Sequence, residues 1–76
     1  EKFKIYPNPA NEYLTVNFPS QYKNICYIIY DLTGRKIANG KISSSKNSIA
    51  LNHLAKGMYM LCIEDGKHFY YRKFVK

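Results

Sequence analysis

Short segments with a strand-like arrangement of apolar residues recur along the chain. Residues 13–18 alternate strictly, so Leu14, Val16 and Phe18 are expected to face a core while the residues between them face water. Ile25–Tyr30 is apolar at almost every position, which predicts an interior strand but leaves open which alternate residues face the core.

The most apolar segment lies near the end of the sequence. Residues 58–63 are too few to span a membrane, and they have the length of a strand that is buried on both faces. Asp65 and Gly66 follow, and this dipeptide predicts a tight hairpin because both positions tolerate positive φ. The chain returns through Phe69–Val75, so a central strand is expected to pair with an aromatic and basic terminal strand.

Prolines delimit the first two predicted strands. Residues 3–6 form the first strand, and Pro7 and Pro9 place it at an edge or a crossover because proline lacks an N–H. Pro19 and Ser20 are expected to close the second strand.

Glycines mark the turns in the middle of the chain. Residues 31–34 predict a three-residue hairpin loop with Gly34 in the left-handed region. The strand that pairs back is expected at residues 35–42, with a bulge at Gly40.

The segment before the central strand is predicted to be irregular. Residues 43–46 form a loop and residues 47–51 a brief strand. Residues 52–57 have the pattern of one helical turn, capped by Asn52 at its start and by Gly57 at its end.

Seven short strands with turns every 8–12 residues indicate an all-β domain, either a sandwich or a small barrel. The spacing of Leu54, Gly57 and Tyr59 resembles a tyrosine corner, in which a Tyr hydroxyl binds the loop before its own strand. The Trp that accompanies this feature in antibody domains is absent from the sequence.

Composition adds limits on size and redox state. The 76 residues correspond to one domain, residues 1–76, and the start at Glu1 leads us to expect a piece of a longer protein. Cys26 and Cys62 are too few for a disulfide framework. Two buried free thiols are the first interpretation, and one cross-strand disulfide, which an exported protein would permit, is the second.

The charge balance is strongly basic, with 12 Lys and Arg against 5 Asp and Glu, 12 − 5 = +7. A basic surface attracts nucleic acid or an anionic membrane surface. The alternative is that scattered lysines keep a β-rich surface soluble and protect its edges from pairing.

The sequence offers little material for catalysis or metal binding. His53 and His68 are the two histidines, and no nucleophile elbow, close ligand spacing or glycine-rich phosphate loop accompanies them. We therefore predict no enzyme activity, no metal and no cofactor. In the terminal segment, aromatic residues interleave with basic ones, as on a nucleic-acid stacking platform; the aromatic residues are Tyr70, Tyr71 and Phe74, and the basic ones are Arg72, Lys73 and Lys76. The favoured interpretation is that these aromatic residues face the core and the basic ones face water.

Four motifs occur in order along almost the whole chain. They are Tyr6-Pro7-Asn8-Pro9-Ala10, Asp31-Leu32-Thr33-Gly34-Arg35-Lys36-Ile37, Leu51-x-x-Leu54-x-x-Gly57-Met58-Tyr59, and Arg72-Lys73-Phe74-Val75-Lys76. Each motif alone is weak, whereas the ordered set closely resembles the type A C-terminal sorting domain of type IX secretion cargo, the Por secretion system family.

The resemblance implies a seven-stranded, immunoglobulin-like antiparallel β-sandwich that acts as a non-catalytic export signal. Cargo of this kind crosses the periplasm of a Gram-negative cell and reaches the cell surface or the extracellular space. The implied partners are N-terminal cargo domains, an outer-membrane translocon and a surface sortase-like peptidase that attaches the cargo to anionic lipopolysaccharide. No nucleic acid is expected as a partner.

The resemblance also assigns residues. It implies that the terminal segment is recognised by translocon or sortase, through Arg72, Lys73, Phe74, Val75 and Lys76. It makes the remaining motif positions partly structural, namely Tyr6, Pro7, Asn8, Pro9, Asp31, Gly34, Arg35, Leu54, Gly57 and Tyr59.

Other interpretations remain open from the sequence. A glycan- or nucleic-acid-binding β-sandwich module would use the tyrosines and the positive charge, and would show salt-dependent retention. A structural cap for a neighbouring domain would leave export unaffected when deleted. The terminal strand could also exchange between two copies to form a swapped dimer.

Overall fold

The computed structural model describes residues 3–18, 24–42 and 46–76 of the chain. It is all-β, with seven antiparallel strands in two sheets. The strands are β1 (Lys4–Tyr6), β2 (Tyr13–Asn17), β3 (Ile25–Tyr30), β4 (Lys36–Ile42), β5 (Lys46–Ala50), β6 (Met58–Glu64) and β7 (Phe69–Val75). The predicted number and order of strands are confirmed.

The strands are distributed over a three-stranded sheet, β1-β2-β5, and a four-stranded sheet, β4-β3-β6-β7. The position of β1 at a sheet edge agrees with the two prolines that follow it. β3 and β6, the two most apolar strands, are the interior strands of the larger sheet, as predicted. β6 pairs with β7 in the expected hairpin, from Met58 opposite Val75 to Glu64 opposite Phe69.

Side chains from both sheets form one apolar core. In β2, Leu14 and Val16 are fully buried, and Phe18 just beyond the strand is buried with them, which confirms the predicted alternation. In β3 the structure settles the open parity, since Ile25 and Ile29 are buried in the core. The largest fully buried side chains are those of Phe74, Leu14, Ile29, Leu51, Leu61, Ile63 and Val16.

The predicted bulge at Gly40 is wrong. Gly40 pairs regularly with Tyr27, and the register between β3 and β4 shifts instead between Ile29 and Tyr30, where Ile37 is the extra residue. Gly40 has a packing role, because a Cβ there would lie 2.7 Å from the ring of Tyr27. The glycine therefore makes room for a cross-strand aromatic ring.

The predicted helical turn at residues 52–57 is also wrong. The segment is a single hydrogen-bonded turn, with the Leu54 N–H donating to the Leu51 carbonyl at 2.9 Å, followed by bends. Gly57 does not cap a helix. It exchanges backbone hydrogen bonds with Lys76 and so extends the β6–β7 ladder by one pair.

The two predicted glycine hairpins are present. The Gly34 N–H donates to the Asp31 carbonyl at 3.0 Å, and Gly34 has φ 89°, as expected for the three-residue loop. In the last hairpin only Gly66 has positive φ, at 94°. Asp65 contributes through its carboxylate, which accepts from the N–H groups of Lys67 and His68 at 3.0 and 2.7 Å.

The predicted end of β2 at Pro19 and Ser20 lies outside the described residues, as do residues 43–45 of the predicted loop. Lys46, placed in that loop by the sequence, begins β5. Within the described ranges, no helix has the length and apolar character needed to cross a membrane.

Candidate functional site

The directions of the strands bring all four sequence motifs to one end of the molecule, which we call the motif end. β7 finishes there, since Val75 lies opposite Met58 at the start of β6, and β3 also finishes there, since Tyr30 lies opposite Met60. β1 and β5 end, and β2 begins, at the same end. The motif end therefore collects the connections at residues 7–12, 31–35 and 51–57 together with the end of β7.

The first motif contacts the terminal strand directly. The Ala10 N–H donates to the Val75 carbonyl at 2.7 Å, and the Asn8 side-chain oxygen accepts from the Val75 N–H at 3.1 Å. Both prolines of the motif follow cis peptide bonds. The backbone groups of Val75 that point away from β6 are thereby satisfied, and the two sheets are joined at this point.

The third motif surrounds the base of β6. The Tyr59 hydroxyl donates to the Ala55 carbonyl, which is the predicted tyrosine corner. The Tyr59 ring is buried and stacks on Phe74, with 5.6 Å between the ring centroids. A residue of the third motif therefore packs on a residue of the fourth.

The last residue described, Lys76, is held by the same segment. Its ammonium donates to the Leu51 carbonyl at 2.6 Å and to the Leu54 carbonyl at 2.5 Å, and its N–H donates to the Gly57 carbonyl at 2.8 Å. Lys76 is half-buried, so its charge satisfies loop carbonyls and is not fully presented to solvent.

The second motif is a self-contained hairpin turn. One carboxylate oxygen of Asp31 accepts from the Thr33 N–H, the Thr33 hydroxyl and the Arg35 N–H, and the other lies 3.3 Å from the Arg35 Nε. The bond from the Thr33 hydroxyl, with the backbone bonds, holds the pKa of Asp31 below its ordinary value. This arrangement explains Asp31 and Gly34 by turn geometry, while the Arg35 side chain stays largely exposed.

The inward side of β7 builds the core. Phe74 is 1% exposed. Arg72 and Tyr70 share its side of the strand, because they lie two and four residues before it. The Arg72 guanidinium lies over the Phe3 ring, 4.7 Å from its centroid, and Tyr70 meets the same ring edge-on at 6.0 Å between centroids.

The outward side of β7 carries Phe69, Tyr71, Lys73 and Val75, and all four are exposed. Phe69 is 59% and Tyr71 is 54% exposed. The expectation that the aromatic residues face the core and the basic ones face water is therefore wrong at Tyr71 and Arg72. Strand alternation from the buried Phe74 places Tyr71 outward, where it forms a hydrogen bond with the Cys62 thiol, and Arg72 inward, where its guanidinium stacks on the Phe3 ring.

Both cysteines are free thiols, as the first interpretation had it, but that interpretation also expected both to be buried. Cys62 is buried and Cys26 is half-buried. Burial raises the pKa of the Cys62 thiol, while its hydrogen bond with Tyr71 acts in the opposite direction. Ile28, and not Cys26, lies opposite Cys62 in the ladder.

Of the five terminal residues that the sequence assigned to recognition, the structure exposes Lys73 and Val75. Phe74 lies in the core, Arg72 covers Phe3, and Lys76 binds loop carbonyls. Sequence reasoning did not single out Phe69 as a surface residue. Once Phe74 is known to face the core, strand alternation predicts that Phe69, five residues earlier, faces outward. In the part of the chain that the structure describes, no group of three His, Cys, Asp or Glu side chains could hold a metal ion.

Comparison with known proteins relates the chain to a protein family and to a larger enzyme. A family model described as "Secretion system C-terminal sorting domain" matches residues 4–76. A funoran endo-beta-hydrolase from Wenyingzhuangia aestuarii is 34% identical over 63 residues, which is 82% of this chain and 9% of that protein. The chain thus spans a small fraction of the length of this relative.

Proposed function

This chain belongs to the secretion system C-terminal sorting domain family, and from that membership we propose that it is the export signal of a larger cargo protein. Domains of this family are non-catalytic and mark proteins of the type IX pathway for the cell surface or the extracellular space. The match over residues 4–76 is the observation that carries the proposal. The hydrolase activity in the name of the relative is not assigned to this chain, because the match covers 9% of that protein.

The proposed partners are the outer-membrane translocon and a surface sortase-like peptidase, with cargo domains N-terminal to this one. Attachment of the cargo to anionic lipopolysaccharide is part of the same proposal. The positive charge of +7 supports an acidic docking partner, since complementary charge accelerates encounter.

We propose that recognition uses the terminal segment from Arg72 to Lys76. The contacts divide the roles within it. In this proposal the exposed Lys73 and Val75 touch the partner, whereas the contacts of Arg72, Phe74 and Lys76 within the domain fix the strand in position. β7 is an edge strand of the four-stranded sheet, which supports a second mode, in which a partner strand adds to the sheet. In a swapped dimer, β7 of one copy would pair with β6 of the other copy, in the place that its own β7 occupies here.

We also propose an immunoglobulin-like sandwich. The strand order β1-β2-β5 and β4-β3-β6-β7 and the tyrosine corner at Tyr59 support this assignment. An experimental structure in which the two sheets are not stacked face to face would contradict it.

Exposed aromatic side chains favour one alternative function, a glycan- or nucleic-acid-binding module. Phe69 and Tyr71 lie on the outward side of β7 beside Lys73. Such a module would be retained on a single-stranded oligonucleotide or on a glycan column, and salt would release it from nucleic acid.

The export proposal is tested by deleting the domain from its precursor and by attaching it to another protein. Deleting residues 1–76 from the precursor should leave the cargo in the periplasm, and adding them to the C-terminus of a periplasmic reporter should move the reporter outside the cell. A precursor that still reaches the cell surface after the deletion would refute the export role. Loss of cargo stability with normal export would support the structural-cap alternative.

A further inference from the structure

The outer faces of the two sheets differ in chemistry. On the three-stranded sheet, strand alternation places mainly polar side chains outward, among them Lys4, Thr15, Asn17 and Ser48. This is the pattern of a sheet with one face in water. On the four-stranded sheet the outward positions are largely apolar. An exposed apolar surface of this kind is typical of an interaction site.

Register defines the members of this second face, because cross-strand partners in an antiparallel ladder lie on the same side. Tyr71 lies opposite Cys62, which lies opposite Ile28, and Lys73 lies opposite Met60, which lies opposite Tyr30. Phe69, Met58 and Val75 extend the face along β7 and the start of β6. We call this surface the outer face of the four-stranded sheet.

Cationic side chains border the apolar centre. Lys73 lies on β7 at one edge of the sheet, and Lys36 and Lys41 lie on β4 at the other edge. All three are exposed, and a shallow depression beside Ile28 is bordered by the two lysines of β4. Glu64, opposite Cys26, is the acidic side chain that the register places on this face.

Resting on the export function proposed above, we propose that the outer face of the four-stranded sheet is the surface that docks on the secretion machinery, against a protein surface with an apolar centre and an acidic rim. The lysine border sets the charge of the partner. A second copy is disfavoured, because face-to-face association would oppose the lysines of one copy to those of the other.

The apolar centre favours a protein partner over nucleic acid. The aromatic residues of this face could stack on bases, but its Met, Val and Ile side chains neither stack on bases nor form hydrogen bonds with them, whereas aromatic residues and Met together are enriched in the cores of protein interfaces. The proposal also accounts for Phe69, which is exposed and does not belong to the core.

Charge reversal on this face tests the proposal in the precursor that carries the domain. The double variant Lys41→Glu with Lys73→Glu should lower the secreted fraction by about tenfold or more. The matched control, Lys4→Glu with Lys67→Glu, changes the net charge equally but lies on the other sheet and on the last hairpin. It should be secreted like the wild type, and both variants should keep the thermal midpoint of the wild type.

A second pair tests the apolar centre. Phe69→Thr should reduce secretion, while Tyr13→Thr, an equally exposed aromatic position on β2, should not. Normal secretion of both outer-face variants, in a precursor whose export is lost on deleting residues 1–76, would overturn the docking surface while leaving the export function intact. If the purified double variant instead lost binding to single-stranded oligonucleotide or to phosphatidylglycerol vesicles that the wild type shows, the protein partner would be wrong.

Discussion

The inward and outward sides of β7 alternate along one strand yet differ sharply in burial. Phe74 is 1% exposed and stacks on Tyr59, while Tyr71, three residues earlier, is 54% exposed. The inward side chains join the terminal strand to the core, and the outward ones are exposed. The motif therefore combines folding residues with surface residues, and deleting the whole segment would remove both.

The largest effect should follow truncation on the inward side. Phe74→Ala removes a fully buried ring that contacts Tyr59, and we expect it to lower the free energy of unfolding by about 3–5 kcal/mol. Chemical denaturation of the purified domain measures this. Lys73→Ala, one position away on the outward side, is the control and should change stability by about 0.5 kcal/mol or less. If the two variants lost the same free energy of unfolding, the inward and outward sides of β7 would not differ in their contribution to stability.

The next effect concerns the residue that anchors the end of the strand. Lys76→Met keeps the apolar stem but removes the ammonium that donates to the Leu51 and Leu54 carbonyls. A loss of about 1–3 kcal/mol is expected, because hydrogen bonds from a charged donor are stronger than neutral ones. If Lys76→Met unfolds at the same denaturant concentration as the wild type, Lys76 does not anchor the strand and is free for recognition.

A smaller effect is expected at the tyrosine corner. Tyr59→Phe retains the ring stacked on Phe74 and loses the hydrogen bond to Ala55, at a cost of about 0.5–1.5 kcal/mol. Tyr13→Phe is the matched control, because Tyr13 is 56% exposed, and its thermal midpoint should not change. If Tyr59→Phe is as stable as Tyr13→Phe, the hydrogen bond of the tyrosine corner does not stabilise the domain.

The smallest expected effect on stability concerns the two hairpin turns rather than β7, and it depends on pH. Hydrogen bonds lower the pKa of Asp31 and Asp65 from the ordinary value of 3.8, so their contribution to stability is present above that value. It should be lost as pH falls through the lower folded-state pKa. The thermal midpoint should therefore fall on acidification below about pH 4. The double variant Asp31→Asn with Asp65→Asn should show a flatter pH dependence.

Strand positions were accessible from the sequence because alternation and turn residues are local properties. Leu14, Val16 and Phe18 show this, as does Gly34 in its turn. The grouping of the four motifs at one end was not accessible, since it depends on which strands pair and in which direction.

The errors arose where tertiary contacts decide a local choice. Gly40 was expected to form a bulge, but the ring of Tyr27 occupies the space above it. Tyr71 and Arg72 were expected to point the other way, but Phe74 packs into the core and strand alternation then places Arg72 inward and Tyr71 outward. Which side of β7 faces the core, and which ring lies against Gly40, depend on tertiary packing, so the local sequence pattern did not decide them.

The most direct test compares two adjacent positions of β7 in the same precursor, measuring both the secreted fraction and the thermal midpoint of the domain. Lys73→Glu should reduce secretion with an unchanged midpoint. Phe74→Leu should lower the midpoint by about 4–8 °C, as expected for a loss of about 1 kcal/mol in a domain of this size, while the molecules that remain folded are secreted normally. Wild-type secretion of Lys73→Glu would contradict the assignment of the outward side to export.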